Sequence, residues 1–364
     1  MRLLFLISAS HIIVGSIAAT LPLTRRCACH TPSNTASLLA AQYGTTFDVD
    51  VTFGNQIFQL LVDTGSSDTY VMRSGFTCIN ATTNLEIPEA DCLYSAKTYD
   101  QSCTYRQIQN ETFGVQYGNG IASGVMAYED ITLAGITVEG QAVGIADQSN
   151  PMGDGVNSGV LGLGYPSLTS AHPGNHADNK TFFYNRTTPL NLSTSTFGGY
   201  LTLGDLPPVP HVPYFSVVPV EILDNIPAKF TSGQRSRSYW AFTVSAVTYG
   251  EPHAENTTTN TTAFQAFTDT GNEFSFLPAA VVEPINALFS PPAMYDNALR
   301  VYVVAAMQKR PPTGDGTCVS LLASSETVAY EGVMLNILGV SFLKNVVSVY
   351  DFGRNELRFA QRLD

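Results

Sequence analysis

Asp63 and Asp269 each begin the same three-residue stretch, Asp-Thr-Gly, and each follows a strand-like apolar run: LLVDTGSS in one case, AFTDTGNE in the other. A single Asp-Thr-Gly is ordinary turn chemistry, because all three residues suit turn backbones. Its recurrence in a matching context changes the meaning. Two loops bearing one motif can face each other across a pseudo-twofold axis, where Gly65 and Gly271 let the backbones approach with no Cβ in the way. Carboxyls held that close resist double ionisation and keep one proton between them over a range of acidic pH. The ionised member then takes a proton from water while the protonated member polarises a carbonyl, which is hydrolysis without a covalent intermediate on the protein. Each motif continues with a side chain able to donate a hydrogen bond, Ser66 or Asn272.

The segments that must position these loops read as short strands punctuated by Gly, Pro, Asn and Asp: TTFDVDVTFG, IFQLLVDTG, TFGVQYGNG, GYLTLGD, YWAFTVSAVTYG, RVYVVAAM and VVSVYDFGRNELRFA. LPAAVVEPINALF is the best helix candidate, and Pro284 restricts it to a short or broken one. A weak internal repeat divides the chain. FQLLVDTGSS precedes SGVLGLGYPSL in the first half, as FQAFTDTGNE precedes LNILGVSFL in the second. Two similar lobes are expected, residues 41–210 and 211–364, with the Pro-rich stretch from 206 to 215 as the boundary. Gly118, Asn119 and Gly120 make a hairpin tip, and Tyr117 beside it offers a ring and a hydroxyl.

The 364 residues include 18 Lys and Arg against 30 Asp and Glu, a formal net charge of −12. No basic stripe is present to neutralise phosphates, which argues against a nucleic-acid partner. Residues 1–18 read as an export signal, with Arg2, an apolar run and small residues Ser16 and Ala18; residues 19–40 form a short leader. Asn-x-Ser/Thr acceptors at Asn80, Asn110, Asn179, Asn185, Asn191, Asn256 and Asn260 support passage through the secretory route. The expected product is a monomer free of the membrane after signal removal, secreted or held in a vacuolar or lysosomal lumen. Cys78, Cys92 and Cys103 form a local group whose pairing the spacing does not fix. Scattered His residues and the lack of a paired Cys or His-Glu-x-x-His pattern lead to an expectation of no metal and no cofactor.

From residue 41 to 364 the chain resembles the pepsin-like aspartic endopeptidases. The resemblance rests on DTGSS, VQYGNGIASGVM, SGVLGLGYPSL, GYLTLGD, YWAFTV, FTDTG and NILGVSFLKNVVSVYDFGRNELRFA, in that order. It implies an all-β, bilobal pepsin-like aspartic protease fold with two pseudo-twofold-related lobes and a central cleft. It also implies an exported enzyme that hydrolyses polypeptides at acidic pH, with Asp63 and Asp269 as the catalytic dyad. By the same resemblance Thr64 and Thr270 tie the loops together, while Ser66 and Asn272 orient the carboxylates. Tyr117, Gly118 and Asn119 form a flap over substrate, and Cys78 bridges Cys92. VLGLG and ILGVS support the loops from beneath, and Trp240 packs rather than touching a ligand.

Departures from the family pattern are informative. Glu273 stands where relatives usually carry Thr or Ser. It places a third carboxylate near the cleft, able to favour a basic substrate side chain on the non-primed side or to raise the dyad's apparent pKa values. Tyr70 and Asp68 replace a Trp and an Asn common in the family; Tyr70 keeps an aromatic wall and a hydroxyl beside the flap, which points to altered specificity. Between VYVVAAM and GDGTCVS the family normally has a further strand-rich segment with a Cys for Cys318, and here only QKRPPT fills the interval. That shortening leaves three alternatives: a compact working lobe, a sequence lacking part of its coding information, or a catalytically silent scaffold acting as a secreted binder or inhibitor. The two intact Asp-Thr-Gly motifs favour the enzyme.

Overall fold

A computed structural model describes residues 6–8, 34–42, 44–118, 120–172, 190–195, 198–227, 231, 235–250, 257–305, 317–328 and 333–363. Strands account for 51% and helix for 9%, so the all-β expectation holds. The longest helix, Ala279–Asn286, is short and contains Pro284 as expected, burying Val281, Val282 and Ile285. Residues Leu6–Ser8, within the stretch read as an export signal, pair with Ala246–Tyr249. The leader residues between 9 and 33, the flap-tip residue Asn119 and the acceptors Asn179, Asn185 and Asn256 lie outside the described residues. Asn110 is exposed, and Asn80 and Asn260 are partly so.

Strand patterning explains how the first aspartate is delivered. Thr46–Phe53 and Gln56–Asp63 form an antiparallel hairpin with Val51 opposite Phe58. Alternate residues Phe47, Val49, Val51 and Phe53 on one strand, and Phe58, Leu60 and Val62 on the other, fill the core. Asp63 ends the second strand, and Tyr70–Ile79 carries the chain away from the loop. Gly159–Gly162 inserts between the two, parallel to the first with Gly162 opposite Asp63, and antiparallel to the second with Gly159 opposite Val71.

The second lobe repeats this arrangement. Phe264–Thr268 leads into the Asp269 loop and Ser275–Leu277 leaves it. Ile337–Leu338 lies between them, parallel to the first and antiparallel to the second. The recurring apolar-apolar-Gly element thus has one job in both halves. A Cβ on Gly162 would fall 2.4 Å from the carbonyl carbon of Ser67, and one on Gly339 would fall 2.1 Å from the oxygen of Phe274. Only glycine lets the inserted strand back onto the loop that it braces.

A shared sheet joins the halves, in the order Thr35–Ala41, Gly198–Leu203, Leu190–Ser195, Val346–Asp351, Glu356–Gln361 and Ser216–Pro219. Above it Trp240 is fully buried. Its Nε1 donates to the Leu163 carbonyl at 2.9 Å, and its ring packs on Tyr165, Tyr350 and Phe352. It is a packing residue, as expected. Where the second lobe is shortened, Val301–Ala305 pairs directly with Thr317–Val319, Val303 standing opposite Val319. The strands flanking the deletion therefore close on each other.

One buried group in the first hairpin sets a pH limit on the fold. Asp48, opposite Leu61, is fully buried and faces Asp154. Asp154 accepts from the backbone N–H groups of Val156 and Asn157 at 2.9 and 2.8 Å and from Thr46 Oγ1 at 3.3 Å. Neither oxygen of Asp48 has a protein donor, so Asp48 serves as the protonated partner, donating to the Asp154 carboxylate. Burial, reinforced by the Asp154 charge, pushes its carboxyl up to about 8. Because the folded value lies above the ordinary 3.8, the native state holds a proton that the unfolded chain releases. Stability is then full below 3.8 and falls by at most about 1.4 kcal/mol per pH unit as pH rises to about 8. Asp48→Asn, which can donate to Asp154 at any pH, is expected to leave the acidic-pH melting temperature nearly unchanged and to flatten its decline toward pH 8. Thermal melts across that range check this.

Candidate active site

The two Asp-Thr-Gly loops meet at the junction of the lobes, held there by a reciprocal exchange. Thr64 N–H donates to Thr270 Oγ1 at 3.0 Å, and Thr270 N–H donates to Thr64 Oγ1 at 3.0 Å. Each hydroxyl then donates onward across the junction, Thr64 to the Thr268 carbonyl at 3.2 Å and Thr270 to the Val62 carbonyl at 2.6 Å. The threonines are buried, so these bonds are shielded from water. The inserted strands brace the loops from beneath in matching fashion: Gly164 N–H reaches Ser66 O at 2.7 Å, and Val340 N–H reaches Asn272 O at 2.8 Å.

Glycine after each threonine allows the final approach. A Cβ on Gly65 would lie 2.4 Å from Asp269 Cγ, and one on Gly271 would lie 2.6 Å from Asp63 Oδ1. Each carboxyl is thus seated against the opposite glycine, and the two carboxyls are hydrogen-bonding neighbours.

Their environments are not equal. Asp63 accepts from Gly65 N–H at 2.8 Å and from the Ser66 hydroxyl in a short hydrogen bond. Asp269 accepts from Gly271 N–H at 2.9 Å. Asn272, expected to orient Asp269 as Ser66 orients Asp63, instead has its Oδ1 engaged by Phe274 N–H at 3.1 Å. Burial raises both carboxyls; donors from Ser66 and Gly65 pull Asp63 back, whereas the Asp63 charge drives Asp269 well above the carboxylate range. Burial together with the Asp63 charge therefore favours the protonated form at Asp269 more than at Asp63.

Tyr117 ends the Arg106–Tyr117 strand, paired with Gly120 across a two-residue turn that includes Gly118. Its buried hydroxyl has no well-formed hydrogen bond and lies beside Ser66 and Tyr70, within the field of Asp63. Tyr70 is buried, with its ring 5.6 Å from that of Phe113. Its hydroxyl lies between those of Tyr117 and Tyr94, and Tyr94 bonds the Ser149 hydroxyl at 3.0 Å. Tyr70 thus continues a row of hydroxyls behind the Tyr117 hairpin. Asp68 accepts from Thr169 Oγ1, Ser170 N–H and Ser170 Oγ at 2.6 to 2.7 Å. That clamp fixes the segment running into Ala171, which pairs with Phe113 of the flap strand. Cys78 and Cys92 are bonded, with Cα atoms 5.8 Å apart. Glu273 is half-buried, its carboxyl within reach of Thr45.

Sequence reasoning missed Tyr239. Its ring lies 4.2 Å from that of Phe267, and its hydroxyl feels both dyad charges. The signal was its place just before Trp240 in YWAFTV, a stretch readable only as a packing strand before the fold was known.

Comparison with known proteins agrees with this geometry. The model of the eukaryotic aspartyl protease family matches residues 42–301. A probable aspartic-type endopeptidase of Aspergillus fumigatus is 32% identical, with 90% of this chain and 81% of the relative aligned. Penicillopepsin-1 of Penicillium janthinellum is 26% identical over 85% and 93%. An aspartic proteinase of Irpex lacteus shares the fold, with a TM-score of 0.64 at 21% identity over 90% of this chain and 98% of that one. The chain belongs to the eukaryotic aspartyl protease family. Its enzyme class is that of the aspartic-type endopeptidases, which implies polypeptide substrates.

Thr64→Val keeps the shape of the clamp but removes one acceptor and one donor, leaving Thr270 N–H buried and unpaired. Loss of roughly 1–3 kcal/mol of stability is expected, measured by urea unfolding.

Proposed function

We propose that this protein is an exported aspartic endopeptidase that cleaves polypeptides at acidic pH, with Asp63 and Asp269 as its dyad and the Tyr117 hairpin as its flap. The convergence of the two carboxyls, each against the other loop's glycine, carries the proposal. Asp63 takes a proton from water as the oxygen adds to the scissile carbonyl carbon, and Asp269 gives its proton to the carbonyl oxygen. The resulting tetrahedral diol collapses when Asp63 returns a proton to the leaving nitrogen and Asp269 takes one from a diol hydroxyl. The amine departs and a carboxylic acid remains. The pair carries one proton and one negative charge before and after each step, and the buried, preorganised loops need not rearrange as that charge moves between the carboxyls.

The unsatisfied Tyr117 hydroxyl suits a flap that completes its bonding on substrate. Export and delivery outside the cell or to a vacuolar lumen rest on the signal-like N-terminus and the Asn-x-Ser/Thr acceptors. They also rest on relatives that include a vacuolar aspartic protease of Candida albicans, 24% identical over 88% of this chain.

Purified protein incubated with a denatured polypeptide across acidic pH is expected to cleave it. Asp63→Asn and Asp269→Asn should each abolish cleavage, as should a statine-type transition-state analogue. Cleavage that survives both substitutions refutes the dyad, and failure of the unaltered protein to cleave favours the silent scaffold.

Ser66→Ala tests the division of labour. Removing a donor that lowers Asp63 raises the pH at which Asp63 ionises, so the acid limb of the kcat/KM profile is expected to move to higher pH. The limb set by Asp269 deprotonation should move less.

A further inference from the structure

The loop that carries Asp269 continues into a side chain that the dyad chemistry does not use. Glu273 lies four residues beyond Asp269, and its backbone is fixed where its carbonyl accepts from Ser341 N–H at 3.1 Å. Four residues of chain reach at most about 14 Å, the span of about four residues of an extended peptide. The position four residues after Asp63 is Ser67, a small buried residue. The second loop departs from that symmetry by carrying a half-exposed carboxylate at this position.

What faces Glu273 defines its chemistry. Its carboxyl lies within hydrogen-bonding reach of Thr45, in the turn between Thr35–Ala41 and Thr46–Phe53, whose hydroxyl also bonds the Gln42 carbonyl at 2.8 Å, so the contact spans the two halves. Among the described residues the ion pairs join Arg235 to Asp224 and Arg358 to Asp351 and Glu356; none involves Glu273. The neighbouring Thr46 contacts another carboxylate, Asp154. Glu273 is therefore half-buried, with no cation paired to it among the described residues. A half-buried carboxylate in a region shielded from water binds an added cation more strongly than one on an open surface.

Resting on the proteolytic function proposed above, we infer that Glu273 is a specificity residue that receives a lysine or arginine side chain of the substrate, at one position within about four residues of the scissile bond. The long aliphatic stem of such a side chain crosses the cleft wall, and its charged head meets the carboxylate beside Thr45. Polypeptides with a basic residue at that position are the favoured substrate class.

The test uses one peptide that the protein cleaves and a scan that places lysine, in turn, at each of the four positions on either side of the cleaved bond. An otherwise identical series carries norleucine, which matches the stem and lacks the charge. Assays run at the least acidic pH at which the norleucine peptides are cut, where Glu273 is most ionised. At one position lysine should raise kcat/KM by roughly tenfold over norleucine, chiefly through KM. Glu273→Gln should remove that ratio, and Glu273→Lys should shift preference toward a glutamate peptide. Thr45→Val breaks the contact across the cleft but keeps the charge, and it should retain the lysine preference. Melting temperatures of all three variants verify that each is folded.

A lysine-to-norleucine ratio near one at every position, or a ratio that persists unchanged in Glu273→Gln, overturns the inference while leaving proteolysis standing. Loss of the ratio in Thr45→Val as well as Glu273→Gln assigns Glu273 a bracing role and also overturns it. Failure of the unaltered protein to cleave any peptide overturns the proteolytic function, and this inference with it.

Discussion

Everything in the site depends on the exchange of backbone N–H and hydroxyl between Thr64 and Thr270. Two carboxyls do not adopt contact spontaneously, because burial and mutual repulsion both oppose it. The clamp supplies four hydrogen bonds inside a dry junction, two between the threonines and two onward to Thr268 and Val62. Each bond satisfies a polar group that would otherwise be buried unpaired, so opening the junction costs far more than the modest net worth of an exposed hydrogen bond. The repulsive arrangement of Asp63 and Asp269 is thereby held by groups that do not themselves ionise. The glycines at 65 and 271 follow from the same constraint, since any side chain there would occupy the opposite carboxyl's place.

Much of this was legible from sequence because it is written twice. Repetition of Asp-Thr-Gly, and of the apolar-apolar-Gly strand behind it, marked a pseudo-twofold architecture that a single copy would not have revealed. Spacing did not disclose what side chains do when backbone symmetry leaves them alternatives. Asn272 occupies the same loop position as Ser66, yet its longer amide reaches forward to the Phe274 N–H and caps its own turn. Tyr239 was hidden for a different reason. Tyr239 sits just ahead of the Ala241–Val244 strand, where no alternation fixes its direction, and its contact with Phe267 and its nearness to Asp269 and Asp63 emerge only from the fold. The disulfide between Cys78 and Cys92 came from family resemblance, not from the spacing of the local cysteine group.

The same physics operates at two carboxyl pairs with opposite consequences. At Asp48 and Asp154, one member is supplied with two backbone donors and a hydroxyl while the other has none, so the proton is confined to Asp48 inside the wall of the lobe. At the two Asp-Thr-Gly loops both carboxyls have a backbone donor from the following glycine, and the difference is set by Ser66, whose hydroxyl and backbone N–H both favour the charged form of Asp63. A large disparity in donors makes a fixed structural acid. A small one makes a pair whose proton can be exchanged during a reaction. Neither pair has a cation beside it among the described ion pairs, so both need a proton to remain close, and acidic surroundings favour fold and site together.

Symmetry of backbone with asymmetry of side chain is therefore what distinguishes the two carboxyls. If both loops carried Ser at the third position after Gly-adjacent symmetry, both carboxyls would receive the same donors and neither would be the preferred base. Replacing one donor by an amide turned away leaves Asp269 the stronger holder of the proton, and the geometry that unites the loops remains intact because it belongs to the threonines and glycines. One position further along the side chains diverge again: Ser67 is buried, and Glu273 is half-exposed. The backbone clamp fixes where chemistry occurs, and residues that the clamp does not constrain decide which carboxyl acts and which substrate it meets.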